Sequence, residues 1–388
     1  MTEKDLLLSD PVRLAQALIR CPSVTPQEGG ALALLERLLL HIGFDTHRLV
    51  FGGGTPEGPV DNLFARFGAS KPHFCFAGHT DVVPPGVLDG WSVDPFAAVI
   101  QNDILVGRGA NDMKSAIAAF VVAAARYIRA GGSGSVSLLI TGDEEGPALY
   151  GTKPVLAWMK DNHHIPDHCL VGEPTSAQAL GDMVKVGRRG SLNARITVNG
   201  AQGHVAYPDR ADNPITRLVQ LLADLKSHPL DDGAENFQPS NLEVTNIDVG
   251  NPTENLIPAQ AQARLNIRFN TKHSGESLTR QLHRKVNDHA PGSEVLVRIS
   301  GEAFYTPPGF LSDLICAAIQ THTQRTAQLS TTGGTSDARF ISHYCPVVEF
   351  GLVGRTMHKV DEQVPVADIH TLTDIYHDIV AQYFARAV

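Results

Sequence analysis

Three carboxylates stand side by side at Asp143, Glu144 and Glu145, directly after the apolar run VSLLI, in TGDEEGPALYGT (141–152). Adjacent like charges repel one another, so the triplet is either a solvated turn or a group that faces positive charge. Another apolar run ends in His79 and Asp81 within AGHTDVVPPG (77–86). Residues two apart on a strand point the same way, so the carboxylate can orient the imidazole, as a metal-binding histidine usually requires. Asp112 lies in the glycine-rich GRGANDMKSAIAAF (107–120), Glu173 in VGEPTS and His358 in RTMHKVDE. Taken singly, each has a plainer reading: a helix cap explains Asp112, and a lone His-x-Asp is weak. Jointly, four apolar runs each end in a residue able to hold a metal. In α/β sheets, ligands gather beyond the carboxyl ends of the strands.

Other clusters carry less. His163, His164 and His168 in DNHHIPDH resemble a metal site by composition but read as a polar surface loop. GGGTPEG (52–58) lacks the Lys-Ser/Thr of a phosphate loop. There is no Gly-x-Ser-x-Gly elbow. Asp143 reads as a turn residue only.

The elements that must position these groups follow from periodicity. Residues 10–160 alternate helix and strand signals: helices over 11–19, 27–42 and 114–129, with strands in NLFARFG, HFCFAGHTDVV and VSLLIT. That alternation predicts an α/β layer with a mostly parallel sheet. From about residue 302 the same style returns, with a helix near 309–321 and the short apolar VVEFGLV. Between them the order is strand, helix, strand, strand, helix, strand. Asn213-Pro214 caps a helix carrying Ile215, Leu218, Leu222 and Leu225 at helical spacing. The second helix carries Leu278, Leu282 and Val286, and in RLNIRF apolar and polar residues alternate. This order predicts a ferredoxin-like α+β unit over 188–301, inserted into an α/β domain formed by 1–187 and 302–388.

The chain has 388 residues, enough for two or three domains, and a net charge of -9 that argues against nucleic acid or an anionic membrane as partner. The N-terminus does not read as a signal peptide. The longest apolar run, 116–125, is about half the roughly 20 residues of a membrane span. Five cysteines without CxxC spacing suit reduced thiols in a cytoplasm.

With these motifs in order along nearly the whole chain, the sequence resembles the two-zinc amidohydrolases that include aminoacylases, glutamate carboxypeptidases and peptidase-like deacylases. The resemblance implies two Zn2+ per subunit, with Co2+ or manganese able to substitute, since nitrogen and oxygen donors suit these ions. His79 and Glu173 would hold one ion, Glu145 and His358 the other, with Asp112 bridging and Asp81 orienting His79. Glu144 would be the general base facing the water between the metals. The stretches 186–208 and 331–341 are similar to those of members that remove a succinyl group from a small acylated amino acid with several carboxylates. By that likeness Arg188, Ser191, Tyr207, Asn255, Arg268, Gly334 and Thr335 would contact substrate, and arginine suits carboxylates because it grips them bidentately. His204, in AQGHVAYP, would cross from the partner subunit of a homodimer to the oxyanion, making the insertion both a dimerisation and a lid domain. A deacetylase of acetylornithine or a broader N-acyl amino-acid hydrolase would share the metals. A non-catalytic zinc-binding protein would lack the base, and Glu144 is present.

Overall fold

The computed structural model describes residues 2–386. Met1, Ala387 and Val388, which fall within the first domain's predicted ranges, lie outside them. The chain divides into two compact units. The first comprises Met1–Val186, Thr306–Ser330 and Ser336–Val388, and the second Gly187–Tyr305 with Thr331–Thr335. The boundaries differ by a few residues from those expected because Gly187–Arg188 pairs with Phe304–Tyr305.

The first unit is built on an eight-stranded sheet. Its centre is parallel: Ser135–Thr141, His73–His79, His168–Val171 and Val347–Glu349 run side by side. On one flank, Asp45–Phe51 and Val60–Phe67 join antiparallel. On the other, Met183–Lys185 and Gln328–Ser330 pair parallel to each other. Every residue of His73–His79 and Ser135–Thr141 is buried. Strands covered on both faces need such continuous apolar character. The alanine-rich helix Ser115–Arg129 and the terminal helix Val366–Arg386 lie beside one another. Phe120 stacks on Phe76 with ring centroids 4.3 Å apart, and Tyr376 meets both rings edge-on. The buried Tyr376 hydroxyl donates to the Phe350 carbonyl at 2.7 Å, which satisfies its one polar atom.

The helix expected from residue 27 begins only at Ala31. Gly29 and Gly30 hold φ of 60° and 93°, left-handed values that a helix cannot continue. A Cβ on Gly29 would also stand 2.7 Å from Pro22 backbone.

His73 is buried at the start of its strand, its Nε2 2.7 Å from Ser137 Oγ. Burial, with the nearby Arg66 charge, lowers its pKa to about 3 from the ordinary 6.5. The unfolded chain therefore binds the extra proton first. Stability is full above about pH 6.5 and falls towards pH 3, by roughly tenfold in the folding constant per pH unit. Urea titrations at pH 7.5, 6.5 and 5.5 should show this slope in the wild-type chain and a shallower one in His73→Gln. Equal slopes would mean that His73 contributes none of it.

The second unit is a four-stranded antiparallel sheet in the order Asn241–Asp248, Gln260–Phe269, Gly190–Asn199, Glu294–Gly301. Its chain order is strand, helix, strand, strand, helix, strand, with helices Pro214–Ser227 and Gly275–His289, which is the ferredoxin-like arrangement. Leu192, Ile196, Leu265 and Ile267 from the sheet pack with Leu218, Leu222, Leu278 and Leu282 from the helices. Asn213 caps the first helix by accepting from the Ile215 N–H at 3.0 Å.

Candidate metal centre

Strand register brings the candidate ligands together. His79 ends its strand directly opposite Thr141, and Ala77 lies opposite Val171. Glu144 and Glu145 leave the first neighbouring strand a few residues on, and Glu173 leaves the second. His358 arrives by the loop after Val347–Glu349. It sits at φ 62°, in the left-handed region that residues other than glycine adopt rarely.

Asp112 does not cap a helix. It has φ -121° and ψ 98°, and helix Ser115–Arg129 has no side-chain cap. Its carboxylate is therefore available, and its two oxygens face different histidines. Oδ1 lies 3.1 Å from His79 Nε2, and Oδ2 lies 3.4 Å from His358 Nε2. His79 Nε2 is also 3.8 Å from Glu173 Oε1, and His358 Nε2 is 2.8 Å from Glu145 Oε1. Two overlapping donor groups have all their ligand atoms within 4.8 Å: His79, Asp112 and Glu145, and His79, Glu144 and Glu173.

The electrostatics point to a cation. Burial opposes charge on His79, yet the hydrogen bond and charge of Asp112, with Glu173, raise its pKa well above normal. His358 rises to about 10 through its hydrogen bonds to Asp112 and Glu145. Burial and the Glu173 charge raise Glu144 well above the usual carboxylate range. Such a cluster demands positive charge, and a divalent cation supplies it in place of the imidazole protons. Nitrogen and oxygen donors fit that ion.

Asp81 works differently from the expectation. His79 Nδ1 is 2.8 Å from the Asp81 backbone carbonyl, whereas the Asp81 carboxylate is 3.7 Å away. That carboxylate instead accepts from the N–H groups of Glu144 and Glu145 at 3.2 and 3.0 Å. Asp81 thus fixes the imidazole with its carbonyl and aims both glutamates with its side chain. Burial raises its pKa to about 6. Asp143, expected to be a simple turn residue, is buried and accepts from the N–H groups of Leu149 and Tyr150 at 2.7 and 2.9 Å. It ties back the loop that carries the glutamates.

Glu362 was missed. Fully buried, it accepts from the N–H groups of Gly109, Asn111 and Asp112 at 3.0, 2.8 and 2.9 Å, and from Arg108 Nη1 at 2.7 Å. It fixes the Asp112 loop from the segment that also carries His358. Its only sequence signal was a glutamate four residues past that histidine. Lys114 is buried beneath the same loop and donates to the Cys21 carbonyl at 2.7 Å. Burial lowers its pKa to about 8.

The histidines of DNHHIPDH do not enter the metal groups, and two of them are not free surface residues. His164 stacks with Trp158 and lies 3.1 Å from Arg66 Nη1, and His168 Nδ1 lies 3.0 Å from the Tyr383 hydroxyl. Beside these neighbours both are half-buried.

The expected substrate contacts all fall in the second unit. Arg188 is buried, and its Nη1 donates to the Gly334 carbonyl at 2.8 Å, beside Thr335. Ser191 and Arg268 lie opposite one another on paired strands, and Arg268 Nε donates to Asn266 Oδ1 at 3.1 Å. His204 packs against Tyr207, and the Val205 N–H donates to the Asn255 carbonyl. His204 is exposed, with Nδ1 accepting from the Ala206 N–H at 3.1 Å.

Comparison with known proteins agrees with this geometry. The model for peptidase family M20/M25/M40 matches residues 75–382. The chain is 60% identical to a succinyl-diaminopimelate desuccinylase of Gluconacetobacter diazotrophicus, over 94% of each chain. It is 58% identical to that of Rhizorhabdus wittichii, over 97% of this chain and 99% of the relative. Among solved structures, an M20 family metallo-carboxypeptidase from Sulfolobus solfataricus shares the fold with a TM-score of 0.77 at 15% identity, covering 99% of each chain. Human carnosine dipeptidase 1 does so with a TM-score of 0.69 at 17% identity, covering 98% of this chain and 97% of the other.

Proposed function

The chain belongs to peptidase family M20/M25/M40, a membership shown by the match over residues 75–382, and we propose that it is the metal-dependent hydrolase of N-succinyl-L,L-2,6-diaminopimelate. Hydrolysis of the amide gives succinate and L,L-diaminopimelate, a step towards lysine and cell-wall precursors. The observation that carries the substrate is the near-full-length likeness to desuccinylases. The donor cluster on the strand ends supports the chemistry.

We place two zinc ions per chain in this site, with cobalt able to replace them. His79, Asp112 and Glu173 would hold one, and His358, Asp112 and Glu145 the other. Bound there, the pair would polarise the scissile carbonyl and lower the pKa of water. The chain's own part centres on Glu144, which takes the proton of the attacking water and returns it to the departing amine. The Asp81 carboxylate holds Glu144 in place by accepting from the Glu144 backbone N–H. His204, from the second subunit of a homodimer, donates to the oxyanion of the tetrahedral intermediate.

The substrate carries three carboxylates, and Arg188 and Arg268 are the groups we assign to them, with Ser191, Tyr207, Asn255, Gly334 and Thr335 as further contacts. The hydrogen bond from Arg188 to Gly334 holds that guanidinium ready for use. Arg188→Ala should raise KM for the succinylated substrate roughly 10–100-fold, the worth of a charged hydrogen-bonded contact, with a smaller change in kcat. Steady-state kinetics of the purified variant checks it, and an unchanged KM would remove Arg188 from the site. The setting we propose is the cytoplasm. The five cysteines are free, and no helix among the described residues is long and apolar enough to cross a membrane.

A further inference from the structure

The second unit carries a concentration of positive charge that the reaction does not use. Arg195, Arg264 and Arg298 are exposed on the sheet face away from the helices. They line a shallow depression of about 470 Å³ together with Asn193, Thr245 and Leu296. Arg195 stands directly opposite Arg264 on the neighbouring strand. Arg298 stands opposite Asn193 on the other side, one diagonal step from Arg195. Like charges placed directly opposite destabilise a sheet. The acids of this face lie at its edges: Glu243 pairs with Lys226, while Glu294 and Asp248 stand one diagonal step from Arg195 and Arg264, neither forming an ion pair with them. None of the three arginines makes an ion pair among the described residues. This cluster stands in a chain whose net charge is -9.

Leu296 narrows the chemistry. It lies on the edge strand, directly opposite Arg195 and two residues from Arg298, and is 65% exposed. A bare inorganic anion would satisfy the guanidiniums and leave that leucine wet. An aliphatic ligand with a carboxylate at each end would cover it, its ends gripped by guanidinium forks. Directly opposed residues stand about 4.5–5.5 Å apart and diagonal ones about 7–8 Å, so the forks can hold separate carboxylates joined by a few methylenes. Asn193 is already bonded to Ser300 and Asn266, and the Thr245 hydroxyl donates to the Arg264 carbonyl, so the guanidiniums are the donors left for a ligand.

We propose that Arg195, Arg264, Arg298 and Leu296 form a binding site for an aliphatic di- or tricarboxylate, four residues along the strands from Ser191 and Arg268, the substrate contacts assigned to the same face. The site does not rest on the hydrolysis proposed above, because its occupancy is read without turnover. The test is calorimetric titration of the metal-loaded full chain with succinate, and separately with tricarballylate. The wild-type chain should bind one more equivalent per subunit than the variant carrying R195Q, R264Q and R298Q. Where both report the same stoichiometry, or where sulfate binds the extra site as tightly as succinate, the proposal is overturned. Tighter binding of tricarballylate points to a substrate-like ligand, and tighter binding of succinate to the released acid; either supports the site. Affinity should fall at least tenfold in the variant, while kcat stays unchanged. Should the triple variant fold poorly, the arginine Nε–Hε NMR signals of the wild-type chain give the answer, assigned through the three single variants. Succinate should shift the signals of Arg195, Arg264 and Arg298, and stationary signals would overturn the site.

Discussion

Replacing Glu144 with alanine should leave the metal content unchanged and remove nearly all turnover. In the account proposed here, Glu144 sits among His79 and Glu173 as the proton carrier, while the metal-holding groups are His79, Asp112, Glu145, Glu173 and His358. General acid–base catalysis by one positioned side chain contributes about 10²–10⁴-fold, and this residue moves the proton twice. Glu144→Gln should behave alike, because an amide keeps the shape and cannot accept the proton. Metal content by atomic absorption and the rate of succinate release together decide it. A variant that keeps more than a tenth of the rate would show that another group is the base. A variant that loses metal along with activity would make Glu144 a ligand, a role its place in the His79, Glu144 and Glu173 group leaves geometrically open.

The second large effect concerns His204. With His204 as the proposed oxyanion donor, a group worth roughly 2.7–4 kcal/mol, His204→Ala should lower kcat by about 10²–10³ with KM changed little. The residue is exposed, and its Nδ1 accepts from the Ala206 N–H of its own turn, so any donation to substrate falls to Nε2. If a second subunit supplies it, mixing His204→Ala chains with Glu144→Ala chains should restore activity, since each mixed dimer rebuilds one intact site. No recovery in verified mixed dimers would place the whole site within one chain.

How far the sequence reached follows from the range of each interaction. His79, the glutamate pair, Glu173 and His358 were visible because each follows an apolar run, and parallel register then places the run ends side by side. The order of the second unit was visible because Leu218, Leu222, Leu278 and Leu282 repeat at helical spacing while Leu265, Ile267 and Phe269 alternate. Contacts between distant segments carried no such signal. Glu362 lies about 250 residues from the loop it holds, and nothing around it repeats. The Asp81 carboxylate turned to the backbone of Glu144 and Glu145 because those N–H groups leave the adjacent strand beside it. The short strands Met183–Lys185 and Gln328–Ser330 were invisible for a related reason: three residues cannot display a period. Helix Ala31–His41 begins late because Gly29 and Gly30, both left-handed, intervene, and apolar periodicity does not register backbone handedness.

Substrate and metal centre are decided together by giving the zinc-loaded protein N-succinyl-L,L-diaminopimelate and, separately, N-acetylornithine, each with and without a chelator. The account predicts rapid succinate release that the chelator abolishes and added zinc restores, with little acetate from the second compound. Chelator-sensitive acetate release in place of succinate would contradict the proposed substrate, and succinate release indifferent to the chelator would contradict the metal centre itself.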